Sequence, residues 1–184
     1  MLRSPRGAER FAWGVVGYNV LVILWGALVR ATGSGAGCGN HWPLCNGQVI
    51  PVSPTLHTVI EFTHRMMVSG SVYAMIALLV WTFRASLRGQ AARVFVVLST
   101  VLLVNEAVLG ALLVKLGYVT GNQSIGRVVV LSVHLSNTLL LVAALTLTAW
   151  MLRTGQLWND LGVLVRARRS DAALALAGLL ATLV

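Results

Sequence analysis

Apolar residues run in long blocks along this chain, divided by short polar and glycine-containing stretches. Four blocks are long enough to cross a bilayer: Phe11 to Ala31, Leu56 to Phe83, Val94 to Leu116 and Val128 to Leu152. A crossing takes about 20 mostly apolar residues, because the hydrocarbon core is about 30 Å thick and a helix rises 1.5 Å per residue. A fifth run, Ala172 to Val184, starts in the same way and stops with the chain, too short to span. The pattern predicts an all-α polytopic membrane protein. A four-helix bundle occupies residues 11–152, flanked by a basic tail at 1–10, a basic connection at 153–171 and the start of a fifth helix at 172–184.

Composition agrees. The 184 residues are 57% hydrophobic and only 10% charged, against about 25% charged in a typical soluble domain. This excludes a soluble enzyme, a disordered tail or a nucleic-acid binder. The formal charge of +9 then reads as a topology signal, since basic residues collect in cytoplasmic loops. Arg3, Arg6 and Arg10 precede the first block, Arg84, Arg88 and Arg93 follow the second, and Arg153, Arg166, Arg168 and Arg169 follow the fourth. The alternate loops carry only Arg30, Lys115 and Arg127 at their margins. The expected orientation is a cytoplasmic N terminus, with loops 32–55 and 117–127 facing outward. The first block is long and lacks a small-residue cleavage site, which argues against a signal peptide.

Ionisable residues inside a spanning helix are costly and are functional candidates by default. The second block holds His57, Glu61, His64 and Arg65; positions 57, 61 and 64 share one helical face. Glu61 precedes Arg65 by four residues, the favourable order for an ion pair; Arg65 is equally placed to snorkel or to meet a haem propionate. The third block holds Asn105 and Glu106, with Gly110 one turn on, and the fourth holds His134, Asn137 and Thr138. His64 and His134 both lie roughly 10 Å below the outer end of helices that run in the same direction. Two histidines at matched depth on parallel helices of one bundle suit axial ligation of a haem iron. His57, at its helix start, is open to an interfacial or a ligand role, and Glu106 to a functional or a merely hydrogen-bonded one.

Other metal chemistries fail on ligand count. Glu61-x-x-His64 is the local motif of di-iron bundles, but such sites need a second copy and two further carboxylates. The His-Glu-x-x-His pattern of zinc proteases is absent. Loop 32–55 is rich in glycine and holds both cysteines, Cys38 and Cys45, with His41 between them. The spacing permits a small closed loop, serving either as a structural staple or in redox or cofactor handling. It is not a covalent haem-attachment motif, and two cysteines with one histidine make a poor zinc site.

Taken in order, the residues resemble the N-terminal four-helix half of the haem A synthase family. The resemblance rests on Gly26-Ala-Leu-Val-Arg30-Ala-Thr-Gly-Ser-Gly35, Cys38 with Trp42-Pro43-Leu-Cys45-Asn-Gly47, Glu61-Phe-Thr-His64-Arg65, Leu109-Gly110-Ala-Leu-Leu-Val114, and Val133-His134-Leu135 with Asn137-Thr138. It covers most of residues 11–152. It implies a membrane enzyme that oxidises a methyl group of haem O to the formyl group of haem A for haem-copper terminal oxidases. By the same carry-over, His64 and His134 are axial ligands of haem O or haem B, Glu61 is the acid needed near the reacting haem, and Cys38 and Cys45 are the outward cysteine pair. Haem O synthase and oxidase assembly proteins are the implied partners, at the cell membrane.

Two departures stand out. Family members usually carry a second homologous half with another histidine pair, and this sequence stops where that half should begin; the expectation is an incomplete piece or a homo-oligomer of single halves. Glu106 stands where many relatives are expected to have Gln. The competing readings are a b-type cytochrome that transfers electrons without methyl oxidation, and a transporter or assembly factor using Glu61, Arg65 and Glu106 as a polar pathway.

Overall fold

The computed structural model describes residues 5–157. Its helices are α1 (Pro5–Ala31), α2 (Leu56–Ala85), α3 (Ala91–Lys115) and α4 (Ile125–Thr154), each long and apolar enough to cross a membrane. Among the described residues there is otherwise only a short 3-10 turn, Ser34–Ala36, and two isolated bridges. The chain is a multi-pass, all-α membrane protein.

Helix ends differ from the apolar blocks for local reasons. Pro5 opens α1, a position where its missing N–H costs nothing, so residues 5–10 of the expected tail are helical. The hydroxyl of Ser124 accepts from the Arg127 N–H at 3.3 Å and starts α4 three residues before Val128. Thr55 caps α2 likewise, accepting from Thr58 N–H at 3.3 Å. α3 begins at Ala91 because Ala91 and Ala92 are buried, with the Ala91 N–H donating to Gln156 O at 3.0 Å. Gly155, with φ of 65°, closes α4 in the left-handed conformation that glycine tolerates. The expected fifth helix at 172–184 and the connection beyond residue 157 lie outside the described residues.

Helices adjacent in sequence pack together, and α1 packs against α4, so the four form a closed ring with α2 and α4 on a diagonal. The pairs run antiparallel. Tyr18 Oη donates to Met67 O and Trp25 Nε1–H to Ile60 O, both at 3.0 Å, between α1 and α2. Ser99 and Thr148 hydroxyls meet at 3.5 Å between α3 and α4.

The apolar core is concentrated at the end carrying the start of α1 and the α2–α3 turn. Ala8, Ala12, Val96 and Ala149 are small enough to let the backbones approach, around Met75, Leu78 and Leu145. The Phe11 and Trp81 rings lie beside it, tilted to one another with centroids 5.4 Å apart. The opposite end is chemically different: it holds the cysteine loop with His41, the two glutamates Glu61 and Glu106, and the three histidines His57, His64 and His134.

Candidate functional site

The cysteine loop is fastened to α2. Cys38 and Cys45 form a disulfide, which closes the zinc reading because neither sulfur is a thiolate. The Cys38 backbone N–H donates to Glu61 Oε2 at 2.7 Å. Arg65 bridges the same carboxylate to the loop: Nε donates to Glu61 Oε1 at 3.1 Å, Nη2 pairs with that oxygen, and Nη1 donates to His41 O and Leu44 O, each at 2.7 Å. Thr58 Oγ1 donates to Gly37 O at 2.9 Å. Contact is so close at Gly37 that an added Cβ would lie 2.4 Å from the His57 carbonyl oxygen. His57 itself is structural here, its Nδ1 lying 3.0 Å from Ser34 Oγ.

Glu61, His64 and Arg65 therefore occupy the expected stretch of α2, with Glu61 buried under the loop. The His64 ring lies against α1, where a Cβ on Gly26 would come within 3.1 Å of His64 Cε1. Helix α4 places His134 nine residues past its start, and α2 places His64 eight past its own, so the depths are about 13.5 and 12 Å. The two imidazoles are near enough to interact electrostatically. His134 is backed by α3: Gly110 faces its Cε1, at 4.0 Å from an added Cβ, and Glu106 Oε1 lies 3.3 Å from Nδ1. That approach is close but lacks hydrogen-bond alignment, and Nδ1 of both histidines is buried with no hydrogen-bond partner.

Glu106 is nevertheless well held. Its carboxylate meets Asn137 Nδ2 and Thr138 Oγ1. Asn137 also donates to Leu102 O at 2.9 Å and accepts from Asn105 Nδ2 at 2.8 Å. The sequence displayed Asn105, Glu106, Asn137 and Thr138 as separate polar intrusions; the structure joins them into one network beneath His134.

Two imidazoles with buried, unpartnered Nδ1 atoms, each faced by a glycine, are a donor set that fits an iron porphyrin. No hydrogen bond among the described residues occupies Nε2 of either ring. Histidine ligands are commonly oriented through their second nitrogen by a carboxylate, and Glu106 stands beside that nitrogen of His134. Among the described residues no carboxylate pairs with His64.

The chain matches the cytochrome oxidase assembly protein family COX15-CtaA over residues 9–184. A Thermus thermophilus protein named protoheme IX farnesyltransferase is 52% identical over 140 residues, covering 76% of this chain and 23% of that protein. The haem A synthase of Alkalihalophilus pseudofirmus is 44% identical over 93 residues, 50% of this chain and 31% of the relative. That of an Exiguobacterium species is 33% identical over 136 residues, 74% of this chain and 42% of the relative. These matches each cover less than half of the relative's length. No solved structure matches the chain. The chain belongs to the COX15-CtaA cytochrome oxidase assembly family, the family of the haem A synthases.

Proposed function

We propose that this chain carries the haem-binding and oxidising site of a haem A synthase, which converts a methyl group of haem O to the formyl group of haem A. The observation that carries the reading is the pair His64 and His134, at matched depth on the diagonal helices α2 and α4. Family membership supports it. The bound haem would supply the iron redox chemistry and the methyl group to be oxidised.

The chain's own residues have separable tasks. His64 and His134 present nitrogen ligands from two sides of the bundle. Glu106, fixed by Asn137 and Thr138, stands 3.3 Å from His134 Nδ1, where a small rotation of the ring would let it hold the imidazole as a ligand. Glu61 lies on the same face as His64 and one turn outward. Its carboxylate would place a negative charge beside a bound macrocycle and could hold a proton at Oε2. Arg65 and the Cys38 N–H hold that carboxylate in place. The cysteine loop covers it from the outward side of the membrane.

Similarity to a protein named protoheme IX farnesyltransferase supports a working partnership with the enzyme that attaches a farnesyl group to the same tetrapyrrole. Two histidines on one iron would leave no open position for oxygen, and that single point favours the second reading, a b-type electron-transfer cytochrome.

The test is to purify the protein after co-expression with haem O synthase, extract its haem and identify it by mass. Haem A or its hydroxymethyl precursor supports methyl oxidation. Haem B or haem O alone overturns it and leaves the cytochrome. Absence of any haem overturns both.

A further inference from the structure

Arg30 and Arg127 are the two arginines at the cysteine-loop end that the site above does not use, and they line one groove. The groove has a volume of about 280 Å³ and runs from Arg30 on α1 past Asn122 and Arg127 to Leu131 and Leu135 on α4, with no acidic residue in its lining. We propose that this groove is an anion cradle in which Arg30 and Arg127 receive the paired carboxylates of the tetrapyrrole held by His64 and His134. The proposal rests on the haem reading and deepens it.

Placement along the helices comes first. Arg127, Leu131 and His134 stand at i, i+4 and i+7 and share one face of α4, so Arg127 lies about 10 Å outward of the ligand histidine. Arg30 lies one turn outward of Gly26, the residue against which the His64 ring packs. A porphyrin bears its two carboxylates on short arms at one edge, and both arginines stand outward of the histidines at that scale. The lining is graded to match: guanidinium groups at the mouth, leucines at the depth of His134.

The state of the two arginines points the same way. The Arg30 side chain makes no hydrogen bond or ion pair with any described residue, while its backbone carbonyl accepts from Gly33 N–H at 3.2 Å. Arg127 Nη1 donates to Asn122 O at 2.8 Å, but its Nε is buried with no partner. An orphaned buried donor is costly. The groove lining also holds no carboxylate to neutralise either cation, of which Arg30 is exposed and Arg127 half-buried. A dianion relieves both, and guanidinium groups bind carboxylates through two parallel hydrogen bonds. Arg65, for which a propionate is one of three partners the sequence allows, has its Nε, Nη1 and Nη2 committed to Glu61 and the loop carbonyls.

A lipid phosphate offers the same chemistry to two arginines, so the experiment separates the sources. Full-length wild type, Arg30→Leu, Arg127→Leu and the double variant are titrated in detergent with haem B and with haem B dimethyl ester, following the absorbance of the bound haem. The cradle predicts that each single substitution weakens haem B binding on the order of tenfold, that esterification weakens wild-type binding at least as much, and that the double variant loses nothing further with the ester. Equal losses with both haems, or none with either, overturn it. Loss of co-purifying phospholipid with unchanged haem affinity also overturns it, and assigns the arginines to lipid. Arg30→Leu removes no bond within the chain and keeps the test decisive if Arg127→Leu fails to fold. A wild type that binds neither haem overturns the haem reading itself, whereas binding of both without dependence on the arginines overturns only the cradle.

Discussion

Glu61 accepts a hydrogen bond from the backbone N–H of Cys38 at 2.7 Å, so the acid of the candidate site and the disulfide loop form one mechanical unit. The loop is a positioning element for that carboxylate as well as a cover.

Replacing Cys38 and Cys45 together with serine should therefore act at two levels. Opening so short a loop should lower stability by about 2–3 kcal/mol, read as a lower thermal midpoint that reductant also produces in wild type. Formyl production should fall while haem content is retained. An unchanged product yield in the serine pair would free Glu61 from dependence on the loop.

Glu61→Gln can keep an oxygen toward the Cys38 N–H while losing its ion pair with Arg65. Haem content should stay near wild type, with formyl product reduced at least about a hundredfold. Should haem be lost along with product, Glu61 would have a structural role instead.

Gly26 leaves room for the His64 imidazole. Alanine there puts a Cβ 3.1 Å from Cε1, which the ring accommodates with a small shift. Valine should displace the ring at a cost of about 1–3 kcal/mol. The ratio of haem to protein should fall modestly for Gly26→Ala and steeply for Gly26→Val. Full occupancy in the valine variant would mean His64 is not a ligand.

Glu106→Gln turns an amide toward Asn137 or Thr138, where carboxylate oxygens now meet their donors. Losing a hydrogen bond to a charged group costs about 1.5–3 kcal/mol, so the thermal midpoint should drop. Leu102 and Asn105 on α3 are tied to Asn137 through the same network, and a midpoint equal to wild type would show that the α3–α4 pair does not depend on it.

The four helices were legible because each is a long apolar run, and membrane crossing leaves few alternatives. Their ends were less so: Ser124 and Thr55 are polar, and their capping role depends on geometry rather than hydropathy. His64 and His134 stood out as ionisable residues in apolar blocks, and equal depth followed from counting. Partners across helices were not legible. Nothing in the order of residues joins Glu106 to Asn137 and Thr138, or commits Arg65 to the carbonyls of His41 and Leu44. Gly37 reads as one more loop glycine, and only the fold shows why no side chain fits there: an added Cβ would lie 2.4 Å from the His57 carbonyl oxygen. Arg30 and Arg127 stand in the sequence only as exceptions to the charge bias; the groove between them exists only in the fold.

The densely packed alanines, leucines and methionine at the far end of the bundle bear on the order of assembly. A chain whose one nucleus is its prosthetic group must wait for delivery before it acquires a shape. Here the helices can be locked together at one end by side chains alone, and on the haem reading proposed above the histidine end then needs no pigment to take its shape. Insertion into the bilayer and acquisition of the tetrapyrrole then become separate events, and the supply of pigment need not keep pace with synthesis of the polypeptide.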